Sequence, residues 1–226
     1  MLLLVTDTSG KHGSVALARA DEESKTGKVE IIESVPLAGG MFSAQLVPQI
    51  EALLAKHGFK KTDIGAFVVV SGPGSFTGLR VGLAAIKALA EILQKPIVSV
   101  SLLEVMAVAS QARGKVLAVL DAGRGEVYTA EYEVGEGSAR LVREQLLRTD
   151  EFPSAAQGLV VATPDEALAG RARDAGISVS QIAPCGAEQV AGLGWRKLQA
   201  GETVTPEQLE ANYIRRSDAE IFWKSP

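Results

Sequence analysis

The sequence predicts an α/β protein of two related halves, each with a mixed sheet and helices on its faces. Strand-like apolar segments open each half and are followed by alternating helices and strands, which is the pattern of mixed sheets. Both halves also begin alike, with a buried strand, an Asp at its end, a turn of small residues and a returning strand. Because Asp7 and Asp121 mark equivalent points, we expect halves 1–111 and 112–226.

The first half begins with apolar runs bounded by turn residues. Leu2–Thr6 predicts a buried strand, and Gly13–Ala20 predicts its hairpin partner. A third strand is expected over Lys28–Leu37. A helix follows over Ser43–His57, because one face carries Leu46, Ile50, Leu53 and Leu54. The remaining predictions here are the strand Ala66–Val70, the helix Leu79–Leu93, the strand Ile97–Val100, and a helix capped by Ser101 with Glu104.

The second half repeats this opening after a polar boundary over Gln111–Lys115. Val116–Leu120 and Val127–Tyr132 predict its first two strands. Two helices are expected later, over Pro164–Ala175, capped by Thr163, and over Gly186–Ala200.

Composition and charge exclude several classes of protein. The 226 residues are 46% hydrophobic, as in globular proteins, and the net charge of −4 disfavours tight binding of nucleic acid by this chain alone. The lone Cys185 excludes an intramolecular disulfide, and His12 and His57 leave little for a metal centre. No signal-peptide pattern and no apolar run of about 20 residues is present, so we expect a soluble cytoplasmic protein without a membrane partner.

The segment Ser71–Arg80 is rich in glycine and lies between a predicted strand and a predicted helix. Such a turn binds phosphate where backbone N–H groups point outward. It also serves as a tight turn that lets a helix and a strand pack closely, and spacing alone does not separate these interpretations. A Walker A loop is excluded because no Lys-Ser/Thr follows Gly78, and Pro73 counts against a nicotinamide-binding loop.

The helix predicted over Leu79–Leu93 is apolar on nearly every side. Its charged residues form one narrow stripe, with small residues beside them, whereas a helix that covers a sheet at the surface has a wide polar face. Either the helix is buried centrally in its own domain, or its outer side packs against another chain, and we expect the second arrangement. The predicted partner interface is Leu79, Arg80, Leu83, Ala84, Lys87, Ala88 and Glu91.

Candidate catalytic and cofactor residues are few. Asp7-Thr8-Ser9-Gly10 resembles the first phosphate hairpin of actin-like ATPases, which makes Asp7, Ser9 and Gly10 candidate cofactor-binding residues, although an ordinary β-turn is the commoner use of this pattern. No His-x-x-x-His, His-Glu-x-x-His or Gly-x-Ser-x-Gly pattern occurs, so no catalytic or metal-binding residue is predicted. Cys185 is expected to be a buried or incidental thiol rather than a nucleophile.

Several longer segments resemble the TsaB (YeaZ) family. The most specific is Gly-Pro-Gly-Ser-Phe-Thr-Gly-Leu-Arg at 72–80. The likeness covers essentially the whole chain and is also carried by Leu4–Ser9, Leu46–Leu54, Val119–Tyr128 and Leu209–Arg215. Many family members have His-Ser at the start of the first helix, where this chain has Phe42 and Ser43.

The resemblance implies an actin-like fold, as in sugar kinases, Hsp70 and actin. It implies a non-catalytic partner of TsaD in the formation of threonylcarbamoyl-adenosine next to the anticodon of tRNA. ATP and a metal would be used by the partner subunits TsaE and TsaD, and by none of this chain's residues. Phe42 agrees with this expectation, because its side chain, unlike the His of many family members, cannot bind a metal. Family members pair through first-half helices as homodimers and with TsaD, and tRNA would be contacted only through the complex.

Two other functions compete with this one. The fold alone suggests an ATP-dependent phosphotransferase of the sugar-kinase type, although fold does not fix function. A metallopeptidase is disfavoured because no His pair has the spacing of a helical metal site.

Overall fold

The computed structural model describes residues 1–21 and 29–215, which form two compact units. The first unit contains Met1–Leu102 and Cys185–Ala211. The second contains Leu103–Pro184 and the described chain from Asn212 onward. The predicted start of the third strand at Lys28 lies outside the described residues.

The chain alternates strands and helices after an opening meander in each half. The first half contains β1 Leu2–Asp7, β2 His12–Ala20, β3 Val29–Ala38, α1 Phe42–Lys56, a 3₁₀ turn Lys61–Asp63, β4 Ile64–Gly72, α2 Phe76–Leu93, β5 Ile97–Ser101 and α3 Leu102–Ala109. The second half contains β6 Gly114–Gly123, β7 Glu126–Val134, β8 Ala139–Arg148, α4 Phe152–Ala155, β9 Val160–Thr163, α5 Glu166–Asp174, β10 Val179–Gln181 and α6 Ala187–Gln199.

Each half forms a five-stranded mixed sheet with the same connectivity. The first sheet has the order β3-β2-β1-β4-β5, and the second has the order β8-β7-β6-β9-β10. In both sheets the three meander strands pair antiparallel, and the two strands that follow join through parallel pairing. The predicted α/β class, with two related halves and mixed sheets, is confirmed.

The division into units differs from the predicted halves 1–111 and 112–226. The helix that follows β5 belongs to the second unit, whereas α6, which follows β10, belongs to the first. The physical reason is burial, because α6 places Val190, Leu193 and Trp195 against the first sheet. Gly194 allows this approach, since a Cβ there would collide with Val68.

Helices α1 and α2 cover the opposite face of the first sheet. Strand side chains alternate between faces, so Leu4, Phe67 and Val69 face these two helices while Val68 faces α6. The shared core includes five residues of α1, namely Phe42, Leu46, Ile50, Leu53 and Leu54. Full burial of side chains of this size contributes roughly 1.5–3 kcal/mol each. This core fixes the position of α2, which carries the predicted interface.

Several element boundaries differ from the predictions. Helix α2 begins three residues earlier than expected, at Phe76, because Ser75 caps it. The capping box predicted for α3 does not form, since Ser101 is the last residue of β5 and its buried hydroxyl has no hydrogen-bond partner among the described residues. Asp165, not Thr163, caps α5. Strands β8, β9 and β10 were not predicted.

No helix within residues 1–21 and 29–215 is both long and apolar enough to cross a membrane.

Candidate interaction surface

The outer side of α2 presents small and charged residues to solvent. Ser75 starts the helix by accepting a hydrogen bond at Oγ from the Gly78 N–H, and Gln94 ends it in the left-handed region at φ 52°. Between these caps the exposed residues on the predicted side are Arg80, Ala84, Ala88 and Glu91, with Lys87 partly buried. The structure therefore brings five of the predicted interface residues together on one side of the helix.

Leu79 and Leu83 do not lie on this surface, contrary to expectation. They are 0% and 4% exposed, and Leu83 packs in the core that α1 shares with α2. A helical wheel cannot show this, because α2 contacts both a sheet and a neighbouring helix, so its buried face is wider than one sheet contact requires. The predicted inner side is correct: Ile86 is buried, and Ala85 and Leu89 pack against the core.

Ile92 extends the outer side of α2 and was missed in the sequence. It is 72% exposed, more than any other large hydrophobic residue of the described chain. It follows Ala84 and Ala88 at the four-residue spacing of one helix face, and this spacing is the signal that would have found it. We call Arg80, Ala84, Lys87, Ala88, Glu91 and Ile92 the α2 outer strip.

The glycine-rich segment before α2 is a packing device. Gly74, Gly78 and Gly82 lie against the turn between β1 and β2, where added Cβ atoms would collide with the Ser9 carbonyl oxygen, the Thr8 carbonyl oxygen and the Thr8 hydroxyl respectively. The Ser75 N–H donates to the Ser9 carbonyl oxygen at 2.6 Å. The structure thus supports the tight-turn interpretation, because Ser9 occupies a donor that a phosphate would need.

The candidate cofactor residue Asp7 is engaged within its own turn. Its Oδ1 accepts hydrogen bonds from the Ser9 N–H at 2.8 Å and from the Ser9 hydroxyl at 2.6 Å. Burial raises the pKa of Asp7, and the two bonds from Ser9 oppose this rise. Both donors of Ser9 therefore bind Oδ1 of Asp7, whereas the third candidate, Gly10, is exposed.

The other titratable candidates show no catalytic arrangement. Burial raises the pKa of the Cys185 thiol to about 11, so it stays protonated at neutral pH. His57 caps the C-terminus of α1 and lies 2.7 Å from Glu33, while His12 is exposed at the start of β2. Phe42, in place of the family His, is buried, and its ring lies close to Gly13 and Gly78. Within the described ranges no group of three or more His, Cys, Asp or Glu residues is placed to hold a metal ion.

Sequence comparisons agree on one family. The family model described as TsaD: tRNA N6-adenosine threonylcarbamoyltransferase matches residues 36–223. The tRNA threonylcarbamoyladenosine biosynthesis protein TsaB of Escherichia coli is 28% identical over 192 residues, which cover 80% of this chain and 82% of that protein. The protein of the same name from Bacillus subtilis is 34% identical over 138 residues, covering 61% and 57%.

A solved structure extends the similarity to the fold. The crystal structure of an uncharacterized Pseudomonas aeruginosa protein, described as similar to peptidase YEAZ, superposes with a TM-score of 0.72 at 28% identity. The match covers 95% of this chain and 99% of that one, and it agrees with the predicted actin-like fold. The chain belongs to the family that the matching model describes and, within it, to the TsaB (YeaZ) group.

Proposed function

We propose that this chain is a non-catalytic partner of TsaD in the formation of threonylcarbamoyladenosine in tRNA. The observation that carries the proposal is the α2 outer strip. Ala84 and Ala88 leave room for a second helix to approach closely, and Ile92 is available for burial. Burying such a side chain contributes roughly 1.5–3 kcal/mol to association before the entropic cost.

Charged residues give the α2 outer strip its specificity. Arg80 and Lys87 lie on the same side as Ala84, with Glu91 one turn further on. Charges at the edge of an apolar contact select partners and orientation more than they add affinity. We therefore expect acidic groups on TsaD opposite Arg80 and Lys87.

In this proposal the chemistry resides in other subunits. TsaD holds the metal and transfers the threonylcarbamoyl group, TsaE joins as an ATPase, and tRNA is contacted through the complex, in the cytoplasm. This chain needs no cofactor of its own. Two contacts support this part of the proposal. Ser9 donates two hydrogen bonds to Asp7, and the Ser75 N–H donates to the Ser9 carbonyl oxygen.

The same contacts weigh against the alternatives. A sugar-kinase-type phosphotransferase requires an Asp at the phosphate hairpin that is available to a metal–nucleotide, whereas Oδ1 of Asp7 already accepts hydrogen bonds from both donors of Ser9. A metallopeptidase requires a His pair at the spacing of a helical metal site, whereas the two His residues of the sequence, His12 and His57, lie far apart in the chain.

Without TsaD, we expect the α2 outer strip to pack against a second copy of the chain. Self-association of one patch is most often two-fold symmetric. A monomeric mass by light scattering at tens of micromolar protein would contradict this expectation.

Ala84→Arg tests the partner proposal. A long cation in a tight helix contact is expected to weaken TsaD binding by about 100-fold, through steric and desolvation terms. The fold should be unaffected, because Ala84 is exposed and Arg is a good helix former. Binding is measured by titration calorimetry with TsaD from the same organism, and threonylcarbamoyladenosine formation is measured with TsaD, TsaE and tRNA.

Ala175→Arg is the matched control. It adds the same side chain at an exposed alanine that ends α5 in the other unit, where a cation is favourable. It should bind TsaD as the wild type does. Wild-type affinity of a folded Ala84→Arg protein would overturn the proposed surface, and activity of the isolated chain that depends on Asp7 would overturn the non-catalytic role.

A further inference from the structure

The second sheet has a long open edge at β8. This strand lies at the end of the order β10-β9-β6-β7-β8, so its outer N–H and C=O groups have no strand partner among the residues that the structure describes. The opposite edge strand, β10, spans three residues, whereas β8 spans ten. A long open edge is a template for a further strand. The side chains of β8 indicate which kind of strand fits it.

The two faces of β8 differ in character. Arg140 and Arg143 share one face, because they lie opposite Glu133 and Glu131, which are two residues apart on β7. Each arginine also pairs with its opposite glutamate, yet both arginine side chains remain at least half exposed. Leu141 lies on the other face, since its β7 partner is the residue between those two glutamates. The edge therefore presents arginines on one face and an exposed hydrophobic residue on the other.

Exposed hydrophobic residues of the second unit gather beside this edge. Val142 follows Leu141 in β8, and both are exposed. Tyr213, also exposed, follows Asn212, whose Nδ2 donates to Oε1 and Oε2 of Glu144 at 3.0 Å and 2.9 Å. Glu144 shares the face of Leu141, because the β7 partners of these two residues are two positions apart. We call Leu141, Val142 and Tyr213 the β8 patch.

The C-terminal segment passes β8 and continues beyond it in the sequence. Arg215 pairs with Glu126, which is the β7 partner of Arg148 at the C-terminal end of β8. Residues 216–226 follow Arg215. A strand covers the distance from Arg148 back to Val142, about 20 Å, in six residues. The remaining length is therefore enough to turn and to return along the β8 edge.

The sequence of residues 216–226 matches both faces of this edge. Its acidic residues are Asp218 and Glu220, and large hydrophobic residues follow at 221–223. Because side chains alternate along a strand, Asp218 and Glu220 would share one face, and Ile221 and Trp223 the other. A strand that places its acidic residues on the arginine face of β8 thus places Ile221 and Trp223 on the face of the β8 patch.

We propose that residues 218–223 add to the open edge of β8 as an antiparallel sixth strand, and that Ile221 and Trp223 cover the β8 patch. The strand is antiparallel because the segment leaves Arg215 at the C-terminal end of β8 and returns. Backbone hydrogen bonds supply affinity in such an addition, and the alternating side chains supply its selectivity. The inference does not depend on the proposed role with TsaD, and its test uses this chain alone.

The fluorescence of Trp223 reports on docking. The sequence has two tryptophans, and the other, Trp195, is buried in α6. The difference between the wild type and Trp223→Phe therefore gives the emission of Trp223. We expect emission at short wavelength and weak quenching by acrylamide, both independent of protein concentration. Quenching equal to that of a peptide of residues 216–226 would overturn the proposal, and so would protection that appears only as protein concentration rises, because a second copy would then cover Trp223.

Leu141→Asp tests the patch. A charge in place of a hydrophobic side chain is expected to weaken docking by about tenfold or more, so the quenching of Trp223 should rise toward that of the peptide. Met41→Asp is the matched control, since it makes the same change at a residue of similar exposure, 52% against 48%, and Asp is favourable at the N-cap of α1. It should leave the quenching unchanged.

Ile221→Asp keeps the test decisive if Leu141→Asp does not fold. It places the charge on the docking segment itself and should expose Trp223 to the same extent. Unchanged quenching of Trp223 in a folded Leu141→Asp or Ile221→Asp protein would overturn the proposal.

Cross-linking tests the position of the added strand. In a Cys185→Ser background, Leu141→Cys with Ile221→Cys is expected to be joined within one chain by a short bismaleimide. Ala175→Cys with Ile221→Cys is the control, because Ala175 ends α5, which packs on β9 and β10 at the opposite edge of the sheet. Equal cross-linking of the two pairs, or cross-links that join only separate chains, would overturn the proposal.

Discussion

The β1–β2 turn and the β6–β7 turn, which open the two halves, contain the same type of hydrogen bond but differ in their surroundings. In each turn, Oδ1 of an Asp accepts a hydrogen bond from the backbone N–H of the residue two positions later. Ser9 donates to Asp7 in the first turn, and Gly123 donates to Asp121 in the second. The first turn is packed under α2, where Gly74 and Gly78 leave no room for a Cβ. The second turn is exposed around Asp121 and Arg124.

The second turn is held by side chains instead of by close packing. Arg124 and Gly125 both have positive φ, 60° and 75°, as a two-residue hairpin of this twist requires. Arg215 donates from Nη2 to the Gly123 carbonyl oxygen at 3.2 Å and pairs with Glu126. The same local turn is thus stabilised by sterics in one unit and by an ion pair in the other, and the two should respond differently to substitution.

Gly78→Ala should have the largest effect. The new Cβ meets the Thr8 carbonyl oxygen, which is backbone and cannot rotate away, so we expect a loss of about 3 kcal/mol in the free energy of unfolding. Denaturant unfolding measures this change. Gly170→Ala in α5 is the matched control, because open space surrounds that glycine and alanine should be neutral or stabilising there. Equal stability of the two variants would show that the first turn is not sterically closed.

Arg215→Ala should have an intermediate effect. It removes the bond to Gly123 and leaves the partly buried Glu126 without its partner, at a cost of about 1–2 kcal/mol. Hydrogen exchange in the β6–β7 turn should rise as well. Arg140→Ala is the control, since its pair with Glu133 is largely exposed and contributes about 0.5 kcal/mol or less. If both substitutions cost the same, the ion pair does not hold the second turn.

Asp7→Asn should have the smallest effect, and it depends on pH. Burial raises the pKa of Asp7 in the folded protein. The contribution of Asp7 to the free energy of unfolding is therefore fully present below the pKa of the unfolded state, and it is lost as pH rises through the pKa of the folded state. Asn keeps an acceptor for Ser9 without the buried charge. The melting temperature of the variant minus that of the wild type should therefore be larger at pH 7 than at pH 4.

Asp121→Asn is the control for this prediction, because its carboxylate is exposed. Its melting temperature relative to the wild type should be similar at the two pH values. A gain for Asp7→Asn that is the same at pH 4 and pH 7 would contradict the buried-charge explanation.

Patterns that repeat along the chain were readable from the sequence, whereas contacts between distant segments were not. The periodicity of Leu46, Ile50 and Leu53 placed α1 within one residue of its observed start and end. Strand β8 has charged residues at irregular spacing (Arg140, Arg143, Glu144 and Arg148) and no apolar run longer than two residues, so no periodicity predicted it. The burial of Leu83 depends on α1, and the packing of Gly78 depends on Thr8, some 70 residues earlier in the chain.

The surface of α2 was partly predictable for the same reason. Its exposed side followed from helical geometry, and Arg80, Ala84 and Ala88 were placed correctly on that side. The sequence also did not decide whether Ser71–Arg80 is a phosphate-binding loop or a tight packing turn. The atoms that lie opposite each glycine in the structure support the packing turn.

The exchange of terminal helices between the units also has a consequence for biosynthesis. The first sheet needs α6 on one face and Leu209 in its core, and both follow the second sheet in the chain. Domains usually fold in order as they leave the ribosome, with the N-terminal one first. Here one face of the first sheet stays uncovered until α6 has been synthesised, so the apolar side chains on that face are exposed while the second half is made.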